Sequence, residues 1–100
     1  MEYISKYTTD ITNLCKQYNV KTLYAFGSVL TKRFNSNSDI DLVVDIDESD
    51  PLNYAEYYFD IKFALEDLFN RPVDLLESKS IRNPLMREHI DNSKQLIYAK

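Results

Sequence analysis

Apolar positions in the first part of the chain repeat at helical spacing. Asn19 can end the helix that this spacing predicts, because asparagine tolerates the left-handed backbone conformation. The apolar run Val20–Phe26 follows and predicts a first strand. The helical stripe recurs every three or four residues and consists of Ile4, Tyr7, Ile11, Leu14 and Tyr18.

A glycine and a serine end the first predicted strand. Gly27 is the only glycine in the protein. Ser28 is expected to cap a short helix over residues 29–34, because its hydroxyl can accept a hydrogen bond from an unpaired backbone N–H. Residues 35–38 are asparagines and serines, which favour turns. This part of the chain therefore predicts a strand, a tight turn, a short helix and a loop, in that order.

Residues 39–45 alternate with a period of two and predict a second strand. Asp39, Asp41 and Val43 are expected on one face of that strand. The opposite face is apolar and holds Ile40, Leu42 and Val44. Two carboxylates should therefore project in the same direction from the start of this strand.

The second half of the chain predicts a long helix, a strand, a shorter helix and a tail. A capping aspartate followed by proline at 50–51 predicts a helix over residues 52–69. This helix is rich in tyrosine and phenylalanine, so it is either enclosed on most sides or in contact with a partner. Val73–Glu77 predicts a third strand, and Asn-Pro at 83–84 starts another helix. The tail Gln95–Ala99 is expected to be an edge strand or an extended segment.

This order of elements predicts an α/β or α+β domain in which helices cover a small mixed sheet. One hundred residues of which 44% are hydrophobic suffice for one modest core. We therefore expect residues 1–100 to form a single domain.

Charge and cysteine content narrow the possible environments and partners. A net charge of -4 argues against direct nucleic-acid binding and against an anionic membrane surface. The single cysteine, Cys15, cannot form an internal disulfide, which fits a reducing compartment. The chain shows neither a signal peptide nor an apolar run long enough to span a bilayer. These features predict a soluble cytoplasmic protein.

The two strand-borne aspartates indicate a metal site. Residues at i and i+2 of a strand lie about 6.5 Å apart, so Asp39 and Asp41 repel one another unless a cation lies between them. Carboxylate oxygens suit Mg²⁺ or Mn²⁺, with substrate phosphates completing the ligand set. Two such ions about 4 Å apart can stabilise the entering and the leaving oxygen of a phosphoryl displacement. Asp74, near the start of the third strand, is the best candidate for a third carboxylate.

The turn at Gly27 and Ser28 suits a phosphate group. A glycine allows the backbone to approach a phosphate closely, and a helix N-terminus offers free N–H groups. Lys32 and Arg33 follow and can neutralise further phosphate charge. His89, the only histidine, has no second histidine nearby and is expected to be structural or on the surface.

At these residues the chain resembles a known superfamily. Three motifs carry the resemblance: Gly27-Ser28, then after ten residues Asp39-Ile40-Asp41, and downstream Val73-Asp74-Leu75. Together they are similar to the DNA polymerase beta nucleotidyltransferases, and the short length points to the minimal nucleotidyltransferase branch. Several members of that branch are antitoxins paired with a HEPN-domain ribonuclease toxin. The resemblance therefore implies the DNA polymerase beta-like nucleotidyltransferase fold.

The resemblance also implies an activity and roles for the motif residues. Gly27 and Ser28 would hold the triphosphate of ATP. Asp39 and Asp41 would bind Mg²⁺, as two ions, and Asp74 would complete the metal site and help to deprotonate the acceptor hydroxyl. AMP would be transferred, with release of pyrophosphate, to a tyrosine of the toxin in a hetero-oligomeric complex.

One position departs from the family pattern, and two other functions stay open. Family members often carry a small-basic-glycine run after the Gly-Ser pair. Arg33 keeps the basic position, as a candidate nucleotide ligand, but Phe34 stands where the glycine is expected. A catalytically idle module that neutralises the toxin by masking it is one alternative. A nucleotidyltransferase that acts on a small molecule, such as an antibiotic, is the other.

Overall fold

A computed structural model of the chain describes residues 2–100. Its helices are α1 (Glu2–Ser5), α2 (Thr8–Gln17), α3 (Pro51–Phe69) and α4 (Pro84–Ser93). Its strands are β1 (Val20–Phe26), β2 (Ile40–Ile46), β3 (Val73–Glu77) and β4 (Gln95–Ala99). Short 3₁₀ turns follow β1 at Gly27–Leu30 and β3 at Ser78–Ser80. No helix within this range is both long enough and apolar enough to cross a membrane.

The strands form one mixed sheet in the order β3-β2-β1-β4. β1 is antiparallel to both β2 and β4, whereas β2 and β3 are parallel. The predicted mixed sheet is confirmed, and the C-terminal tail is an edge strand. Because β3 and β4 occupy opposite edges, the segment that contains α4 must cross from one edge of the sheet to the other.

The main core lies between one face of the sheet and helices α2 and α3. It confirms the apolar face predicted for the second strand. Its members include Leu23 and Ala25 of β1, Ile40, Leu42 and Val44 of β2, Ile11 and Cys15 of α2, and Ile61, Leu65 and Phe69 of α3. Burial raises the pKa of the Cys15 thiol to about 12, so this cysteine is packing rather than a reactive group.

The capping residues correctly predict where the long helices begin and end. Asp50 caps α3, since its carboxylate accepts hydrogen bonds from the backbone N–H groups of Leu52 at 2.9 Å and Asn53 at 3.3 Å. Asn83 caps α4 in the same way. The helix ends predicted at Asn19 and Asn70 are confirmed, because both residues have positive φ, at 58° and 53°.

The single N-terminal helix predicted from the apolar stripe is wrong, since the chain forms two helices separated by a break. α1 ends at Ser5 and α2 begins at Thr8. The Thr8 hydroxyl donates to the Ser5 carbonyl at 3.0 Å, a local hydrogen bond that competes with helix continuation. The break also brings the rings of Tyr7 and Phe69 into edge-to-face contact, with centroids 5.2 Å apart.

The short helix predicted over residues 29–34 is also wrong. Its place is taken by the 3₁₀ turn Gly27–Leu30, and the Ser28 side chain does not cap it. Thr31 has extended backbone angles and ends the turn. Both its backbone N–H and its hydroxyl donate to the Ser28 carbonyl, each at 2.9 Å. Thr31 therefore ends the 3₁₀ helix after a single turn, and the segment that follows packs as a loop.

Candidate active site

The three predicted carboxylates lie at the same end of the parallel strand pair. Asp41 of β2 is the direct register partner of Asp74 of β3. Side chains of register partners on adjacent strands point to the same face of a sheet. Asp39 stands immediately before β2, two residues from Asp41. The structure therefore brings Asp74 beside Asp41 of the Asp-x-Asp motif.

Asp41 is the electrostatic centre of this group. Its pKa is raised above the usual aspartate range, first because the carboxylate is partly removed from water, and then because Asp74 and Asp39 repel a further negative charge. Asp39 and Asp74 are exposed, whereas Asp41 is half-buried. A cation beside Asp41 would remove both the repulsion and part of the desolvation cost.

The donor chemistry of these residues fits a hard divalent cation. Carboxylate oxygens are the preferred ligands of Mg²⁺ and Mn²⁺, and the repulsion at Asp41 is what such an ion would relieve. As placed, however, no group of three or more His, Cys, Asp or Glu side chains within the described range lies close enough together to hold an ion. The assignment of Asp39, Asp41 and Asp74 as metal ligands stays a prediction.

Gly27 is the residue that lets the turn approach Asp41. Its φ of 74° lies in the left-handed region, which side chains disfavour. A β-carbon at this position would collide with Oδ2 of Asp41 and would lie 3.2 Å from its Cγ. The turn after β1 and the carboxylate of β2 are therefore in direct contact, and only glycine permits both the backbone angle and that contact.

A cleft of about 620 Å³ opens beside this turn, a volume within the range of small-molecule sites. Ser28 and Arg33, both predicted nucleotide ligands, line it together with Gly27. Lys32 is not one of its lining residues. The complete lining is Gly27, Ser28, Leu30, Thr31, Arg33, His89, Ser93 and Gln95.

Sequence reasoning missed the contribution of α4 to the cleft. The sequence predicts that His89 is structural or on the surface, and it is exposed, but it also lines the cleft together with residues of the Gly27–Leu30 turn. Its spacing of four residues from Ser93 showed that the two share one helix face. The part of the protein that lies opposite this helix face depends on the path of α4 across the sheet. No local sequence pattern predicts that path.

Phe34, the position that departs from the family pattern, anchors the loop between the cleft and β2. Its ring lies 5.1 Å from that of Tyr3, and the guanidinium of Arg71 sits 4.5 Å above it. Arg71 also donates hydrogen bonds to the backbone carbonyls of Asn35 at 3.0 Å and Ser38 at 2.9 Å. Ring packing and two hydrogen bonds from Nη1 of Arg71 therefore hold this loop.

We expect Arg71→Lys to destabilise the protein by about 1–2 kcal/mol, because lysine stacks less well than the planar guanidinium on the rings of Tyr3 and Phe34. Urea unfolding measures the change. The matched control is Arg82→Lys, since Arg82 is exposed and makes no hydrogen bond or ion pair with the described residues. Equal effects of the two substitutions would contradict the anchoring role of Arg71.

Comparison with known proteins agrees with this fold. The family described as "Polymerase beta, Nucleotidyltransferase" matches residues 9–100. Two proteins of Methanocaldococcus jannaschii, both named "Putative protein adenylyltransferase", are similar in sequence. One is 37% identical over 83 residues, covering 83% of this chain and 80% of the relative. The other is 33% identical over 86 residues, covering 86% and 83%.

Solved structures show the same fold. One described as a "putative minimal nucleotidyltransferase" superposes with a TM-score of 0.75 at 26% identity and covers 94% of this chain and 92% of that one. A toxin–antitoxin with AMP-PNP gives 0.69 at 20% identity, covering 93% and 73%. A chain from a complex of tri-AMPylated Shewanella oneidensis HEPN toxin with MNT antitoxin gives 0.63 at 17% identity, covering 96% and 72%.

Proposed function

Because the chain belongs to the polymerase beta nucleotidyltransferase family, we propose that it transfers AMP from ATP to a hydroxyl group of a partner protein. The observation that carries this proposal is the register pairing of Asp41 with Asp74 directly beside the Gly27 turn. A phosphate held at that turn would lie next to the carboxylates. This is the arrangement that nucleotidyl transfer requires.

The relatives support a protein as the acceptor. Those from Methanocaldococcus jannaschii are named as protein adenylyltransferases, and one structural neighbour was solved with an AMPylated HEPN toxin. We therefore propose that the partner of this chain is a HEPN-type toxin and that the two form a hetero-oligomer. The proposed acceptor is a tyrosine hydroxyl of the toxin, and this chain would be its antitoxin.

The residues of this chain have distinct parts in the proposed reaction. Asp39, Asp41 and Asp74 would hold Mg²⁺, as two ions, or Mn²⁺ in its place; the metal would neutralise phosphate charge and stabilise the reacting oxygens. Backbone N–H groups at Gly27 and Ser28 would hold the phosphates.

Asp74 is exposed, so an acceptor carried on another protein can reach it. Its carboxylate would accept the hydroxyl proton while the hydroxyl oxygen bonds to the α-phosphorus. The bond from that phosphorus to the pyrophosphate oxygen breaks, and pyrophosphate leaves.

A transfer assay tests the proposal. The chain is incubated with α-labelled ATP, Mg²⁺ and the protein encoded by the adjacent gene, and the label is followed by gel and by mass spectrometry. We expect a mass increase of one or more AMP groups on a tyrosine of the partner. Absence of label on the partner, under conditions where a homologous pair transfers it, would refute the enzymatic role.

A specific observation favours an additional binding role. Leu52, Phe59 and Phe63 are 82%, 51% and 55% exposed, although they are large apolar side chains. At helical spacing they share the outer face of α3, opposite the core residues Ile61 and Leu65. The rings of Phe59 and Phe63 stack with centroids 6.2 Å apart. Such a patch is typical of a protein interface, so masking of the toxin by this face is the second candidate function.

Phe59→Ser combined with Phe63→Ser should weaken the complex with the toxin at least about tenfold, because aromatic anchors commonly supply more than 1 kcal/mol each. Calorimetry or a pull-down titration measures the affinity. Leu96→Ser is the matched control, since Leu96 is an equally exposed apolar residue, at 52%, on β4 rather than α3. If the control weakens the complex as much as the α3 variant, the interface does not lie on α3.

A further inference from the structure

We propose that α4 forms the far wall of the nucleotide site and that His89 binds the β- and γ-phosphates of ATP, the part that leaves as pyrophosphate. This inference rests on the proposed function, because it assumes that the cleft beside Gly27 and Ser28 receives a nucleoside triphosphate. It assigns a ligand role to a residue outside the Gly-Ser and aspartate motifs.

The charge of the cleft is the first argument. None of its lining residues is a carboxylate, and two of them, Arg33 and His89, can carry positive charge. This is unusual for a chain with 16 acidic and 12 basic residues. Four other clefts within the described residues each include one or more carboxylates. A polyphosphate is therefore repelled less beside Arg33 and His89 than in those clefts.

The position of the cleft relative to the carboxylates is the second argument. Gly27 lies against Asp41 and also lines the cleft. The turn therefore connects the carboxylates to the cleft, and a nucleotide whose α-phosphate lies at the carboxylates can extend its next phosphates over the turn and into the cleft. Negative charge accumulates on those phosphates as the bond to the α-phosphorus breaks. Donors placed there stabilise the leaving group.

The availability of His89 and Arg33 is the third argument. Neither side chain makes a hydrogen bond or an ion pair with any residue in the described range, and both are exposed. The neighbouring hydroxyl of Ser93 is already engaged, because it donates to the His89 carbonyl at 2.9 Å. The imidazole and the guanidinium are thus unengaged side-chain N–H donors of the cleft, one from α4 and one from the loop after the Gly27–Leu30 turn.

Calorimetric titration of the full chain tests the inference directly. The probes are ATP, inorganic pyrophosphate and AMP, each in the presence of Mg²⁺. We expect His89→Ala to weaken binding of ATP and pyrophosphate by about tenfold or more, because a charge-assisted hydrogen bond is lost. AMP, which lacks the β- and γ-phosphates, should bind the variant and the unchanged chain equally. His89→Arg, which supplies an N–H donor at the same position, should bind ATP within a few fold of the unchanged chain.

Glu88→Gln is the matched control, since Glu88 is exposed on the same helix but does not line the cleft. Unchanged ATP and pyrophosphate affinities in His89→Ala would overturn the inference. Equal weakening of AMP binding would also overturn it, since that result indicates a structural effect. The transfer assay is separate: a chain that binds pyrophosphate through His89 but labels no partner retains this inference and loses the proposed function.

Discussion

Replacing Asp39 and Asp41 together by asparagine should abolish AMP transfer and leave the fold intact. The change removes two anionic ligands without altering side-chain shape. Loss of metal-assisted charge stabilisation costs several kcal/mol in the transition state, so transfer should fall at least about a hundredfold. Labelled ATP transfer to the partner measures the loss, and circular dichroism confirms the fold. Asp10→Asn, an exposed aspartate on α2, is the control and should transfer normally.

The Asp41 carboxylate, which transfer is expected to require, should lower the stability of the metal-free fold at neutral pH. The pKa of Asp41 is raised in the folded chain by burial and by the charges of Asp74 and Asp39. The folded state therefore holds this proton to higher pH than the unfolded state does. The resulting stabilisation is fully present below the ordinary aspartate pKa and is lost as pH rises through the raised value. At neutral pH the ionised carboxylate is a net cost in the absence of metal.

Asp41→Asn should consequently stabilise the metal-free protein at pH 7 and change it little at pH 4. Urea unfolding of both proteins at the two pH values, in the presence of a chelator, measures the difference. A variant that is less stable than the unchanged chain at pH 7 would show that Asp41 is held by favourable contacts rather than exposed to repulsion. We therefore expect the variant to gain stability and to lose transfer activity. This combination is typical of a site in which charge repulsion is retained for catalysis.

Local chemistry explains why most of the fold could be predicted. Asp50 before Pro51 and Asn83 before Pro84 combine a side-chain acceptor with a residue that fits the first helical turn, so both helix starts were placed within a residue. Asn70 ends α3 in the left-handed conformation, and this too follows from a local preference, because asparagine tolerates that conformation. Alternation along β2 predicts burial of one sheet face, and that face is buried as expected, although Val43 of the opposite face is buried as well.

Prediction failed where a tertiary contact decided the local structure. A helix over residues 29–34 was reasonable from Ser28 alone, but Thr31 closes the turn early and Phe34 is drawn against Arg71 and Tyr3. The bond from Thr31 to Ser28 is local, but Tyr3 and Arg71 are distant from Phe34 in sequence, so no window of local residues contains them. The position of His89 at the cleft likewise depends on the crossing of α4 between the two edges of the sheet, which no local window contains.

The contact between Gly27 and Asp41 explains how a local turn and a distant strand form one site, and Gly27→Ala tests it. The added methyl group would meet Oδ2 of Asp41 while the backbone stays at φ 74°. We expect the free energy of unfolding to fall by about 1–3 kcal/mol, from left-handed strain and from the displaced carboxylate. Transfer should fall at least about tenfold, because Asp41 can no longer keep its position against the turn.

A double-mutant cycle separates the two causes of this loss. In the Asp41→Ala background the carboxylate that the new methyl group meets is gone, so Gly27→Ala should cost only the backbone strain, about 1–2 kcal/mol. The cost in the presence of Asp41 should exceed this value, and the excess measures the contact. If Gly27→Ala costs the same free energy in both backgrounds, the contact contributes nothing. The requirement for glycine would then be one of backbone conformation alone.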